Sequence, residues 1–344
     1  MSSPLKTGIL LACVLGFSCA RRAEPQAKAS ALTTPLSSKF PASTKLRIGD
    51  PQVQLCLSLS GERVPFDVEW HELSGGPKTI EAFRAHALDG SVVGDTPPIH
   101  AASTGLNIKI IGVQMRNRAA MRLAVAPGST VRSLADLKGK KIAYSPGQAQ
   151  GALVLRTLKK AHISTRDVTL VELESDAFKD ALSSRQVDVA PIGGPGLARY
   201  LKEYGGDGAH AIDHGVRDNL AFFYVTTETL ADADRAAALR AYVALRMRSQ
   251  LWIYEHPERW VDAYYVKSQG LSRAAGLRVI EEIGRPQFPG DWSEAIALTQ
   301  ETIDLLATES GRPGFDANGL FDRRFESVAA EVTAAAESAR TGAP

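Results

Sequence analysis

From residue 45 to residue 226 the chain repeats one unit ten times: an apolar run of three to six residues, separated from the next in most cases by a stretch of helical spacing. Runs that short suit buried strands rather than helices. Strands alternating with helices pair side by side in parallel, because a crossover helix carries the chain back to the edge it left. The expected strands are residues 46–48, 66–70, 91–93, 108–113, 122–126, 141–144, 168–172, 187–191, 210–213 and 222–226. The best-defined helix covers residues 150–161, with Leu153, Leu155, Leu158 and Ala161 on one stripe and Lys159 and Lys160 in the last turn, where cations suit the helix dipole. Beyond residue 229 the pattern changes. Residues 231–255, 257–269, 273–283 and 293–310 read as amphipathic helices with no further strand, and Leu239, Val243, Met247, Leu251 and Tyr254 form a core stripe on the first of them.

At 344 residues, 44% apolar and 23% charged, the chain can bury two cores of ordinary size. Its formal charge is +2 and no Lys/Arg run exceeds a pair, which argues against a nucleic-acid partner. Lys6 precedes the apolar run TGILLACVLGFS, too short to span a bilayer comfortably and followed at once by small and charged residues, the form of an export signal. LGFSC, ending at Cys19, resembles a bacterial lipoprotein cleavage site at which the cysteine is lipidated. LLAC, ending at Cys13, is a second match on a much shorter apolar run, and a plain secretory signal is the alternative; Cys19 is favoured. Residues 20–44, rich in Ala, Ser, Thr and Pro, read as a flexible tether. Cys56 is then the one cysteine of the mature body, so no intramolecular disulfide is expected there.

Three loops share a grammar of strand, glycine with a small polar residue, then helix: HELSGGPKTIEAF, VVGDTPPIHAA and IAYSPGQAQGALVL. In each, glycine lets a ligand approach the free N–H groups of a helix start, which attract anions. None matches a phosphate loop or dinucleotide fingerprint, and there is no His-Glu-x-x-His, paired-cysteine metal set or Gly-x-Ser-x-Gly elbow. No cofactor is expected. Cys56, between Leu55 and Leu57, reads as a packing cysteine rather than a nucleophile.

RIGDPQVQLCLSLSGERVPFDVEWHELSGGPKTIEAF, GSVVGDTPPIHAASTG, SLADLKGKKIAYSPGQAQGALVLRTLKKAHI and GLFDRRF occur in an order that resembles the aliphatic-sulfonate-binding proteins of bacterial ABC importers. Their wider group includes taurine-, nitrate- and thiamine-precursor-type binders. The resemblance implies an α/β, two-lobe, periplasmic-binding-protein-like fold of type II with a helical C-terminal tail, residues 45–116 plus 217–335 forming lobe one and 117–216 lobe two. It implies a small organic anion, most specifically a sulfonate, held in the cleft by Asp50 and Gln52 after the first strand, Gly75 and Gly76 after the second, Asp95 and Thr96 after the third, and Ser145, Gly147 and Gln148 opening a helix of lobe two. An ABC permease of the inner membrane is the implied partner of an extracytoplasmic, monomeric receptor that catalyses nothing. Two features depart from the family pattern. Gly193 and Gly194 stand where an aromatic residue and an aspartate are usual, leaving a barer wall, and Arg116 and Arg118 bring positive charge near the first crossing between lobes. A desulfinase-like enzyme on the same scaffold, with Cys56, His71 and Arg84 as its candidates, and a nitrate or vitamin-precursor receptor are the alternatives.

Overall fold

The computed structural model describes residues 34–73 and 75–341, so the export signal, Cys13 and Cys19 lie outside the described residues. Ten strands appear where the apolar runs predict them, with ends displaced by a residue or two: β1 Lys45–Gly49, β2 Asp67–Trp70, β3 Gly90–Gly94, β4 Ile108–Met115, β5 Met121–Val125, β6 Lys141–Tyr144, β7 Thr169–Glu172, β8 Val189–Gly193, β9 His210–Ile212 and β10 Leu220–Thr226. They form two five-stranded sheets, ordered β2-β1-β3-β10-β4 and β7-β6-β8-β5-β9.

Each sheet is parallel except where the chain arrives from the other one. β4 leads through residues 116–120 into β5, which runs antiparallel to β8 and β9; β9 leads through residues 213–219 into β10, antiparallel to β3 and β4. The two connections lie against each other: Arg116 N donates to Asn219 O at 3.0 Å and Ala120 N to Asp218 O at 3.0 Å.

Among the described residues twelve α-helices clothe the sheets: α1 Pro51–Ser60, α2 Gly76–Arg84, α3 Thr96–Ser103, α4 Ala149–Lys160, α5 Phe178–Ser183, α6 Gly194–Tyr204, α7 Thr227–Ala231, α8 Ala233–Glu255, α9 Pro257–Trp260, α10 Arg273–Ile283, α11 Ser293–Ser310 and α12 Glu326–Thr341. The expected helix at 257–269 is α9 followed by a π-helical stretch, Val261–Ser268. The last helix, α12, is one the sequence reading did not anticipate. The second sheet is covered on both faces, which is why its strands are apolar without alternation. Along β5, Leu123 and Val125 enter a core with Ile142 and Leu158, while Ala124 and its follower Ala126 enter another with Phe178 and Tyr200. Part of the expected tether is also packed: Leu36 and Phe40 lie on the first sheet's core, and Phe40 meets Phe66 edge to face at 5.8 Å.

Packing fixes one glycine of the first sheet. Gly90 pairs with Val225, and a Cβ on it would stand 2.6 Å from Cζ of Phe223 and 3.2 Å from Cγ1 of Val225. Both neighbours are fully buried, so neither has room to yield. Gly90→Ala is therefore expected to destabilise the protein by about 1–3 kcal/mol through overpacking, read as a lower urea midpoint at unchanged slope. An unchanged midpoint would show that Phe223 turns aside without cost.

Candidate binding cleft

The loops at the carboxyl ends of β1, β2, β3, β6 and β8 each open a helix or turn whose first N–H groups lack helical partners. Asp50 caps α1 by accepting from Val53 N at 3.4 Å, yet it is 1% exposed and points inward. Its carboxylate takes Nε of Arg246 at 3.0 Å and the Tyr242 hydroxyl at 3.3 Å, and Arg246 Nη2 reaches Gln114 Oε1 at 3.1 Å. Burial pushes the Asp50 carboxyl up, and Arg246 draws it part of the way back; removing either partner of so buried a pair would strand the other. Asp50 thus acts on the cleft through Arg246 and Gln114. Gln52 is exposed, and its Nε2 lies 3.4 Å from the Tyr264 hydroxyl.

Asp95 and Thr96 are turned the same way. Arg156 of α4 donates to Asp95 Oδ2 at 2.5 Å and Arg217 stands at 3.7 Å, while the Thr96 hydroxyl, fully buried, donates to Asp95 Oδ1 at 2.9 Å. Arg156 also reaches Thr302 of α11 at 2.6 Å. The carboxylate that follows a strand of the first sheet is thereby bound to a helix of the second. Its oxygens, and the Thr96 hydroxyl, are directed to these partners.

Glycine is what lets the loops of the two sheets meet. A Cβ on Gly94 would lie 2.7 Å from Cβ of Ala149, one on Gly76 would lie 3.3 Å from the Gly147 carbonyl, and one on Gly147 would lie 2.8 Å from the His100 ring. Gly75 faces the Gln148 side-chain nitrogen, which donates to Glu174 Oε2 at 3.0 Å. Ser145 is buried and its carbonyl accepts from Gln148 N at 3.3 Å. The structure therefore brings together Gly75, Gly76, Gly147 and Gln148, in a closed cleft.

Toward the crossings that cleft widens into a cavity of about 430 Å³, lined by the ends of β3, β4, β5, β8 and β10, the start of α4 and both crossings. Gly193 and Gly194 form one wall. Gly193 has no alternative, since a Cβ there would lie 2.2 Å from the Ala120 carbonyl, and Gly194 adopts a φ of +48° that favours glycine. Arg116 lines the cavity with its charge engaged: Nη1 donates to the Tyr254 hydroxyl at 2.8 Å and to the Gly284 carbonyl beyond the end of α10. Arg118 likewise donates to Glu281 O at 2.7 Å. A second space of about 400 Å³, between α3, β6 and α11, touches neither crossing.

Asp218, Asn219 and Gln114 also line the cavity and were not singled out by sequence. Asp218 Oδ2 accepts from Met121 N at 2.6 Å, yet burial, with Asp95 adding to it, pushes its carboxyl up from 3.8 to about 7. Asn219 Nδ2 donates to Arg116 O at 2.6 Å, which leaves its Oδ1 without a partner. Arg246 did leave a signal: it falls on the stripe of Leu239 and Val243, and a cation on an apolar stripe needs a buried partner. Cys56 is fully buried, its thiol donates to Ser249 O at 3.2 Å, and burial pushes it up to about 11. Arg84 is spent on Thr104 at 3.0 Å and His71 lies 3.2 Å from Glu69, so the three enzyme candidates keep separate company.

A family model described as NMT1/THI5 like matches residues 66–260, more than half of the chain. A relative from Escherichia coli strain K12, carrying the name of an aliphatic sulfonates-binding protein, is 26% identical over 240 residues, which is 70% of this chain and 74% of the relative. The alkanesulfonate-binding protein SsuA from Xanthomonas axonopodis pv. citri, solved bound to MOPS, superposes with a TM-score of 0.68 at 23% identity, over 82% of this chain and 98% of that one. A mutant DszB solved with biphenyl-2-sulfinic acid gives 0.55 at 17% identity, over 83% of this chain and 99% of that one. At such identities these likenesses show the two-lobe fold, while the matched model carries the family: the chain belongs to the NMT1/THI5-like family.

Proposed function

We propose that this chain is the extracytoplasmic solute-binding component of an ABC importer, with residues 45–116 plus 217–335 as one lobe and 117–216 as the other, and that it delivers a small sulfonate to a membrane permease. The observation that carries the reading is the cavity of about 430 Å³ between the two sheets, walled by both and floored by both crossings. Its volume suits a small organic ligand. A sulfonate spreads one negative charge over three acceptor oxygens, which N–H donors satisfy without a full salt bridge. The names of the E. coli and Xanthomonas relatives favour the same class. Among the described residues no helix is long and apolar enough to cross a membrane, and attachment through a lipid on Cys19 supplies the anchor.

The DszB likeness raises the second reading, a desulfinase. A nucleophilic cysteine needs access and a thiolate, and the burial of Cys56 denies it both. Calorimetric titration with ethanesulfonate and with MOPS is expected to show binding that Cys56→Ala keeps within a few-fold, and incubation with sulfinates to release no sulfite. Sulfite release that disappears in Cys56→Ala would replace the receptor with the enzyme.

Asp218 gives the cavity a pH dependence. Its folded-state value of about 7 lies above the ordinary 3.8, so its contribution to stability is complete below about pH 4 and is lost as pH rises through 7. An anion beside it favours the protonated carboxyl, so sulfonate affinity is expected to fall about tenfold from pH 6 to pH 8. In Asp218→Asn both trends should flatten. A parental affinity constant across that range would remove Asp218 from the ligand's surroundings.

Cys19→Ser is expected to abolish fatty-acid labelling and release the protein from membranes. Labelling that persists would point to Cys13.

A further inference from the structure

Gln114 stands at the end of β4, beside Ala221 of β10, with its side chain on the cavity and only 5% exposed. Its Oε1 accepts from Arg246 Nη2 at 3.1 Å, and its Nε2 has no hydrogen-bond partner among the described residues. Which end of an amide is oxygen is settled here by chemistry, because a guanidinium only donates and the atom facing it must accept. Arg246 is itself held by Asp50, whose Oδ2 takes its Nε at 3.0 Å, and both side chains are buried. A buried charge pair therefore fixes the oxygen end of the amide and polarises it, while the two N–H donors of this cavity-lining side chain stay without a protein partner among the described residues.

Nη1 of Arg116, the cation nearest by sequence, is committed to Tyr254 and Gly284, and the Asn219 amide nitrogen is committed to the Arg116 carbonyl. On the reading of the cleft as an anion site, we propose that Gln114 is a ligand-contacting residue that donates from its amide nitrogen to an oxygen of the bound sulfonate, with Arg246 and Asp50 as the positioning residues behind it. The anion is then held by a neutral amide whose orientation a cation, Arg246, imposes from within the lobe. This arrangement selects acceptor-only heads of the oxyanion class, since a ligand offering an N–H or O–H at this point meets a donor that cannot turn over.

The decisive variant is Gln114→Glu, which keeps an acceptor for Arg246 and so keeps the buried network, but replaces both donors with a carboxylate oxygen. It is expected to keep a cooperative melt, and its affinity for ethanesulfonate to fall at least tenfold. A second measurement reads the side chain directly: the Gln114 amide ¹⁵N–¹H resonances, assigned by their loss in Gln114→Glu, should move on adding ethanesulfonate to the parent. In Arg246→Lys without ligand they should move as well, and an unmoved pair there would free Gln114 of its positioning residue. If the parent binds ethanesulfonate and Gln114→Glu binds it within twofold, the Gln114 proposal falls while the receptor reading stands. If the parent binds only nitrate or a carboxylate from the same panel, the sulfonate reading falls, and Gln114 is judged by the same comparison with that anion. Binding of no panel anion by the parent would overturn both.

Discussion

The hydrogen bonds that tie the two crossings to each other set the plan of this molecule. Leu220 of β10 pairs with Met115 of β4, and from there Arg116 meets Asn219 and Ala120 meets Asp218, so the chain passes between its sheets as a two-stranded ribbon. Because the chain enters β5 and β10 across this ribbon, those strands run against their neighbours, while strands reached by helical crossovers run parallel. Any rotation of one sheet relative to the other turns about the ribbon. Side chains that leave it toward the cleft sit at the floor of the site, where their positions change least as the walls move. Asp218 and Asn219 are of this kind, and Gln114 of β4 stands beside them on the cavity.

Closure has its own chemistry at the walls. Glycines at 76, 94 and 147 let backbones of the two sheets approach to within side-chain distance, and the Asp95–Arg156 pair locks that approach with charge. A buried ion pair returns little net stability against its burial cost, but once one partner is in place the absence of the other is expensive. A carboxylate on one sheet and its arginine on the other therefore specify a closed register more than they stabilise either lobe. Thr302 of α11, which also receives Arg156, extends the same contact to the C-terminal helices.

The ten strands and the run of C-terminal helices were legible because they rest on local period and on burial from both faces, which leave direct marks on sequence. The glycine loops were legible as places of close approach, since only glycine permits the contacts made at Gly76 and Gly147, but the sequence reads that approach as a ligand's and the contacts here are with other parts of the chain. What Asp50, Asp95 and Thr96 do was not legible. Each sits at a strand end where a ligand contact is the natural reading; Asp50 and Asp95 are engaged by arginines 196 and 61 residues distant in the chain, and Thr96 by Asp95 beside it. Local spacing carries no information about such partners. Asp218 and Asn219 escaped because a crossing has no period at all, and α12 because the sequence beyond residue 310 was matched only at the short run around Phe325.

The buried carboxylates show where the fold has left chemistry open. Asp50 has Arg246, Asp89 has Arg47 and Arg235, Asp95 has Arg156 and Arg217, and Asp322 has Arg324. Asp218 faces the cavity with two backbone N–H groups of the other crossing and, among the described residues, no ion-pair partner. No arginine in direct contact offsets the desolvation of Asp218, and its carboxyl is held near neutrality. A fold that supplies arginines to its structural carboxylates and withholds one here keeps a protonatable group at the floor of its cleft. Across the same floor stands an amide whose donors a buried arginine has fixed. Together they offer an oxyanion two neutral donors of unlike response to pH: the amide donates at any pH, whereas the carboxyl donates only while it keeps its proton.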